Sequence, residues 1–214
     1  MSHEEISPSD WYTLLRSDDR AQRMEALTSV GRRGARWRSH ERACETIGLE
    51  RTGGAFSSEV RDAVLEALED EDPKVRAEAA LALAAWDDGV VAEALKERLT
   101  DPDERVRCAV IQSFGILTTA QATEELLEIA EMDPSPGVRA HALAAMAAVE
   151  GHPERETGDR GTPSAIRVGG GPSLGPRRVR DRLNAIEKGD ASSYVRFLAR
   201  RARREMKLEY REDA

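Results

Sequence analysis

A short phrase recurs along this chain: Asp70-Glu71-Asp72-Pro73-Lys74-Val75-Arg76, then Asp101-Pro102-Asp103-Glu104-Arg105-Val106-Arg107, then Asp133-Pro134-Ser135-Pro136-Gly137-Val138-Arg139. The three Val-Arg pairs lie 31 and 32 residues apart, and an Asp stands six residues before each Arg. A period of that length, with a turn and a helix start in each copy, specifies a helical solenoid, because one such unit cannot bury its apolar face alone and must stack on the next. The template also fits Asp190 to Val195-Arg196 and, more loosely, Ser17-Asp18-Asp19-Arg20-Ala21-Gln22-Arg23.

Four residues before each Arg is a helix-capping residue type: Asp19, Asp72, Asp103, Ser135 and Ser192. Their side-chain oxygens accept from the orphan amides of a first helical turn, and Pro73 and Pro136 suit its first position. Behind each Arg, apolar residues recur at helical spacing, as in Ala79, Ala80 and Leu83, Val110, Ile111 and Phe114, or Ala142, Leu143 and Met146. A second amphipathic helix precedes each turn, shown by Val60, Val64 and Leu68, by Val91, Leu95 and Leu99, and by Leu126, Leu127 and Ile129. Five helix pairs are predicted, at 9–16 with 19–33, 58–70 with 73–86, 90–100 with 103–117, 121–132 with 136–149, and 177–189 with 192–207. The fold class is all-α, an α-α superhelix.

On Asp-Pro-x-x-x-Val-Arg and the Ala-rich helices behind it, continuous over 58–149, the chain resembles HEAT-repeat proteins of the short kind grouped with the phycobilisome-lyase HEAT-like repeats. The resemblance implies a ladder in which turn Asp and helix Arg join neighbouring repeats. Asp70, Asp101, Asp133, Arg76, Arg107 and Arg139 are then structural. It also implies that the helices before the turns line a concave face, and it brings in, as one alternative, tetrapyrrole handling of the bilin-lyase kind.

Composition fits a thin, exposed architecture: aromatic residues are 4% and charged residues 34%, the latter above the quarter or so usual in globular domains. No apolar run approaches about eighteen residues and no signal pattern follows Met1, so no membrane contact and a cytoplasmic location are expected. Cys44 and Cys108 lack Cys-x-x-Cys spacing, and His3-Glu4 and His40-Glu41 do not recur at equivalent repeat positions. No metal, cofactor or catalytic residue is therefore expected.

The breaks in spacing carry more information about function. Arg23 to Arg76 is 53 residues and Arg139 to Arg196 is 57. The excess falls at about 34–57 and at 151–176, which divides the chain into 1–150 with an insertion at 34–57, a Gly/Pro-rich flexible insertion at 151–176, and a basic helix pair with its tail at 177–214. The first insertion holds Arg32, Arg33, Arg36, Trp37 and Arg38, with a short helix expected from Arg42 to Leu49. Arginines around an aromatic ring suit a nucleic-acid base or an acidic partner.

Charge is segregated. Residues 1–154 carry 17 Lys and Arg against 31 Asp and Glu, whereas 155–214 carry 15 against 9. The last helix is basic through Arg200, Arg203, Arg204 and Lys207, while the helices before the turns are acidic through Glu59, Asp62 and Glu66 and through Glu124, Glu125 and Glu128. An acidic face repels phosphates. The expected function is a non-enzymatic scaffold or adaptor whose acidic face takes a basic or mixed-charge protein segment and whose basic rim makes a second contact. Nucleic-acid or ribonucleoprotein binding at the basic rim is the alternative.

Overall fold

The computed structural model describes residues 8–46, 57–86, 89–117, 122–150 and 176–206. Among them are ten helices: α1 (Pro8–Leu15), α2 (Arg20–Thr46), α3 (Ser58–Glu66), α4 (Pro73–Leu83), α5 (Gly89–Glu97), α6 (Glu104–Leu117), α7 (Ala122–Met132), α8 (Pro136–Glu150), α9 (Pro176–Gly189) and α10 (Ser193–Glu205). Single 3₁₀ turns, Ala67–Glu69 and Arg98–Thr100, extend α3 and α5 toward their repeat turns. The secondary structure of the described residues is helical, as the period required.

The helices form two compact units, residues 1–113 and 114–214. In the first, α1 packs on α2 and α3, and α4 packs on α2 and α3. In the second, α7 packs on α8 and α9, and α10 packs on α8 and α9. Helices equivalent in the repeat thus lie side by side, and each pair completes the core of its neighbour. The core is aliphatic and Ala-rich, with Leu27, Leu83, Leu95, Ile111, Leu126, Leu127, Leu143 and Leu183 fully enclosed. Helix α2 lies against α4 at Gly31: a Cβ added there would sit 3.7 Å from the Ala82 Cα, an ordinary van der Waals contact.

The turns are built as their residue types dictate. Asp19, Asp72 and Asp103 cap the following helices by accepting from the N–H groups of Ala21, Lys74 and Arg105, each at 2.8 Å, and Ser192 does the same for Val195 at 3.4 Å. Two residues earlier, Asp70, Asp101, Asp133 and Asp190 each accept from a backbone N–H two residues on, at 2.7–2.9 Å. Such Asx turns close the chain reversal before the helix begins.

One expected boundary fails. The helix that begins at Arg20 was expected to stop at 33, with a loop from 34 and a fresh short helix from Arg42; instead α2 continues to Thr46. Gly31 and Gly34 look like breakers in sequence, but both lie inside the helix. Gly31 faces Ala82 of α4 with room for a Cβ and Gly34 is buried, and no Pro interrupts the stretch. The basic stretch around Trp37 is therefore displayed on a helix. The remainder of that insertion, 47–56, and the second insertion, 151–175, lie outside the described residues, as does Lys207.

Candidate interaction surfaces

The strongest motif turns out to be internal wiring. Each of five arginines folds its Nη1 back onto its own turn, donating to two successive carbonyls: Arg23 to Ser17 and Asp18, Arg76 to Asp70 and Glu71, Arg107 to Asp101 and Pro102, Arg139 to Asp133 and Pro134, and Arg196 to Asp190 and Ala191. In Arg23, Arg76 and Arg139 the other edge of the fork reaches the Asp of the next turn. Arg23 Nε lies 2.7 Å and Nη2 3.2 Å from the two oxygens of Asp70. Arg76 meets Asp101 at 2.9 and 3.0 Å, and Arg139 meets Asp190 at 2.8 and 3.0 Å. In Arg76 and Arg139 these are parallel two-point hydrogen bonds of the kind only a guanidinium makes, while Arg23 hydrogen-bonds through Nη2 with its Nε at ion-pair distance.

Burial and titration agree on their role. The Asp101 side chain is 1% exposed and that of Arg76 is 13% exposed. Burial pushes the Asp101 carboxyl up, yet the hydrogen bonds from Arg76 and from the Asp103 N–H outweigh it and leave the carboxyl below its ordinary value. The Arg139 hydrogen bond holds Asp190 down against burial, and the same bonds raise Arg76 and Arg139. The pairs are charged structural joints with their hydrogen-bonding capacity committed inside the fold.

The acidic helices carry more exposed groups. On α3, Glu59, Asp62 and Glu66 are exposed. Glu66 is held by Arg16 of α1 at 2.7 and 3.0 Å, and Asp62 by its neighbour Arg61 at 2.9 Å. The Glu59 carboxyl is lowered by hydrogen bonds from its own N–H and from Ser57, as suits a carboxylate in a first helical turn. On α7, Glu124 and Glu128 are exposed one turn apart, and Glu125 is half-buried. Glu131 receives both arms of Arg182 from α9, at 2.6 and 2.8 Å. That hydrogen bond raises Arg182, with further support from the charges of Glu131, Glu124 and Glu128. One guanidinium thus stands beside three acidic residues of α7.

The basic residues divide. On α2, Arg32 and Arg36 are exposed one turn apart, Arg33 lies with its guanidinium carbon 5.3 Å from the Trp11 ring centre, and Trp37 is half-buried. The side chain of Arg38 lies outside the described residues. On α10, Arg200 and Arg203 both reach Glu187 of α9, at 2.7 and 3.2 Å, and hold its carboxyl low against burial. Arg204 is exposed. Sequence reading missed Tyr194 and Phe197, which α10 leaves 61% and 58% exposed. The available signal was their position off the apolar stripe of Val195, Leu198, Ala199 and Ala202. Among the described residues no His, Cys, Asp and Glu group is arranged to hold a metal, and no helix is long and apolar enough to cross a membrane.

With the ladder in place, comparison with known proteins is informative. A family model for HEAT repeats matches residues 61–147. Residues 61–147 are HEAT-like repeats. Its fold is similar to that of the CpcE–CpcF complex of phycocyanin lyase from Nostoc sp. PCC7120, with a TM-score of 0.61 and 18% identity over 98% of this chain and 68% of that one. It is also similar to two engineered proteins, at TM-scores of 0.54 and 0.52 and 17% identity in both cases. The first covers 93% of this chain and 78% of its own, and the second 94% and 47%. At these identities the likeness is one of fold. Comparison with curated protein sequences gives no match.

Proposed function

We propose that this HEAT-like chain is a non-enzymatic protein-interaction scaffold whose acidic helix faces receive a basic or mixed-charge segment of another protein. The observation that carries this reading is on α7, where Glu124 and Glu128 are exposed one turn apart, with Arg182 close by as a countercharge that is itself bound to Glu131. The ladder residues are spent on holding repeats together, whereas these carboxylates project outward and do no such work. Glu59 and Asp62 of α3 supply a smaller acidic face of the same kind. A similar fold in a complex named for two components, CpcE and CpcF, supports a partner-binding use of such a solenoid.

The test is direct. Fluorescein-labelled octalysine, followed by anisotropy at low salt, binds the full chain, and reversal of two charges in E124K/E128K weakens it about tenfold, the scale of two lost contacts at an effective dielectric between water and protein. Unchanged affinity in that variant refutes the reading. In the basic stretch of α2 Arg32 and Arg36 are exposed and Arg33 lies over Trp11; retention on heparin that R32E/R36E abolishes is the outcome that favours nucleic-acid binding there.

A further inference from the structure

Among the described residues, the Arg–Asp ladder has an open rung at Arg196. Arg196 makes the same two turn bonds as the other four arginines, 2.6 Å to the Asp190 carbonyl and 3.1 Å to that of Ala191, so its fork is held in the same pose. In Arg23, Arg76 and Arg139 the Nε–Nη2 edge so presented takes both oxygens of an Asp. Among the described residues no carboxylate meets that edge of Arg196.

The surface around it is not shaped for another apolar helix pair. Four and seven residues after the ladder arginine, earlier helices bury Ala80 and Leu83, Ile111 and Phe114, and Leu143 and Met146. Helix α10 carries Arg200 and Arg203 there, and these share the single carboxylate of Glu187. Arg196, Arg200 and Arg203 thus recur at helical spacing on α10 with Glu187 shared by the last two, and Phe197, the residue after Arg196, is exposed. Arginine and exposed aromatics are what protein interfaces concentrate at their centres.

We propose that this face of α10 is a docking site for a partner protein that inserts an Asp or Glu side chain into the open edge of Arg196, completing the ladder between two molecules. A second copy of this chain is a poor occupant, because its turn at 17–19 has Ser17 where the later turns have Asp. A nucleic-acid strand fits less well than a carboxylate. Two unmatched charges neutralise few phosphates, whereas the fork needs one planar carboxylate and already binds three elsewhere in this chain. The proposal rests on the scaffold reading but on a different surface from the acidic helices.

The probe is a labelled peptide copying residues 67–78, which presents Asp70 in its turn sequence, titrated against the full chain by anisotropy at low salt. The peptide binds, and Asp70→Asn in the peptide weakens it about tenfold, the weight of one charge-assisted two-point bond. Arg196→Lys in the protein, which keeps the charge and loses the fork, weakens it by a similar factor. Because the peptide substitution leaves the protein untouched, a folding defect in the protein variant does not blur the result. E124K/E128K leaves this binding unchanged, which separates its failure from that of the scaffold reading. Absence of binding, equal binding of the Asn peptide, tighter Arg196-dependent binding of a dT20 oligonucleotide, or an Arg196-dependent homodimer in sedimentation each overturns the proposal.

Discussion

Replacing Asp101 tests the wiring at its most enclosed point. The side chain is 1% exposed and accepts three bonds: Arg76 Nε at 2.9 Å, Arg76 Nη2 at 3.0 Å and the Asp103 N–H at 2.9 Å. Removing one partner of a buried ion pair costs about 3–5 kcal/mol, because the other charge stays behind unmatched. Arg76 keeps its two carbonyls at Asp70 and Glu71 and is 13% exposed, so Asp101→Ala belongs at the low end, about 3 kcal/mol. Asp101→Asn retains an oxygen for the Asp103 N–H but turns an amide donor toward the guanidinium, which places it at about 2 kcal/mol. The internal control is Glu69, whose side chain is 65% exposed and pairs with Arg98; Glu69→Gln costs under about 1 kcal/mol. Urea unfolding followed by helical circular dichroism measures all three, with wild-type transition shape checked first, since repeat arrays lose cooperativity readily. An Asp101→Asn cost no larger than that of Glu69→Gln refutes the claim that the ladder holds the repeats together. A matched R76L/D101L pair costs less than the sum of its single changes, by about 0.5–3 kcal/mol.

Three further outcomes follow from the same physics. Asp101 and Asp190 are held below the ordinary carboxylate value in the fold, so their contribution is complete above the unfolded value of about 3.9 and drains away as pH falls through the lower folded values. The melting-temperature gap between wild type and D190N is therefore widest near neutrality and narrows as pH falls below the unfolded carboxylate value of about 3.9; a gap constant down to acid pH contradicts it. Gly31→Ala raises stability by about 0.5–1 kcal/mol through helix propensity, since its Cβ meets Ala82 only at van der Waals distance; destabilisation on thermal melting shows that the α2–α4 approach is tighter. Trp11 is 2% exposed with its indole nitrogen 3.4 Å from Ser29 Oγ, and Trp11→Ala costs about 3–5 kcal/mol in denaturant, whereas Trp11→Phe recovers most of it.

Most of the fold was legible because each local signal pointed the same way. The Asp at the turn, the capping residue, the Pro at the helix start and the apolar spacing behind the Arg all demanded one helix pair, and the structure builds it at 73–83, 104–117, 136–150 and 193–205. The extent of α2 was not legible, because a glycine that ends a helix and a glycine inside one are the same letter; the packing of α2 on α4, with Ala82 opposite Gly31, tells them apart. The same holds for charge. Glu66 reads as part of a bare charged face, but Arg16 reaches it from a neighbouring helix 50 residues away, and Arg182, 51 residues away, meets Glu131 in the same way. Periodicity says which residues share a face of one helix and says nothing of what the adjacent helix lays against it. Arg196 was visible as the last copy of a motif, while its open edge needed the occupied rungs for comparison.

The measurement that bears most directly on the scaffold account is affinity capture from the native cell with the intact chain beside E124K/E128K, both at matched folding by circular dichroism. The account predicts a protein partner held by the wild type and lost from the charge-reversed variant. Capture of the same proteins in the same amounts by both contradicts it.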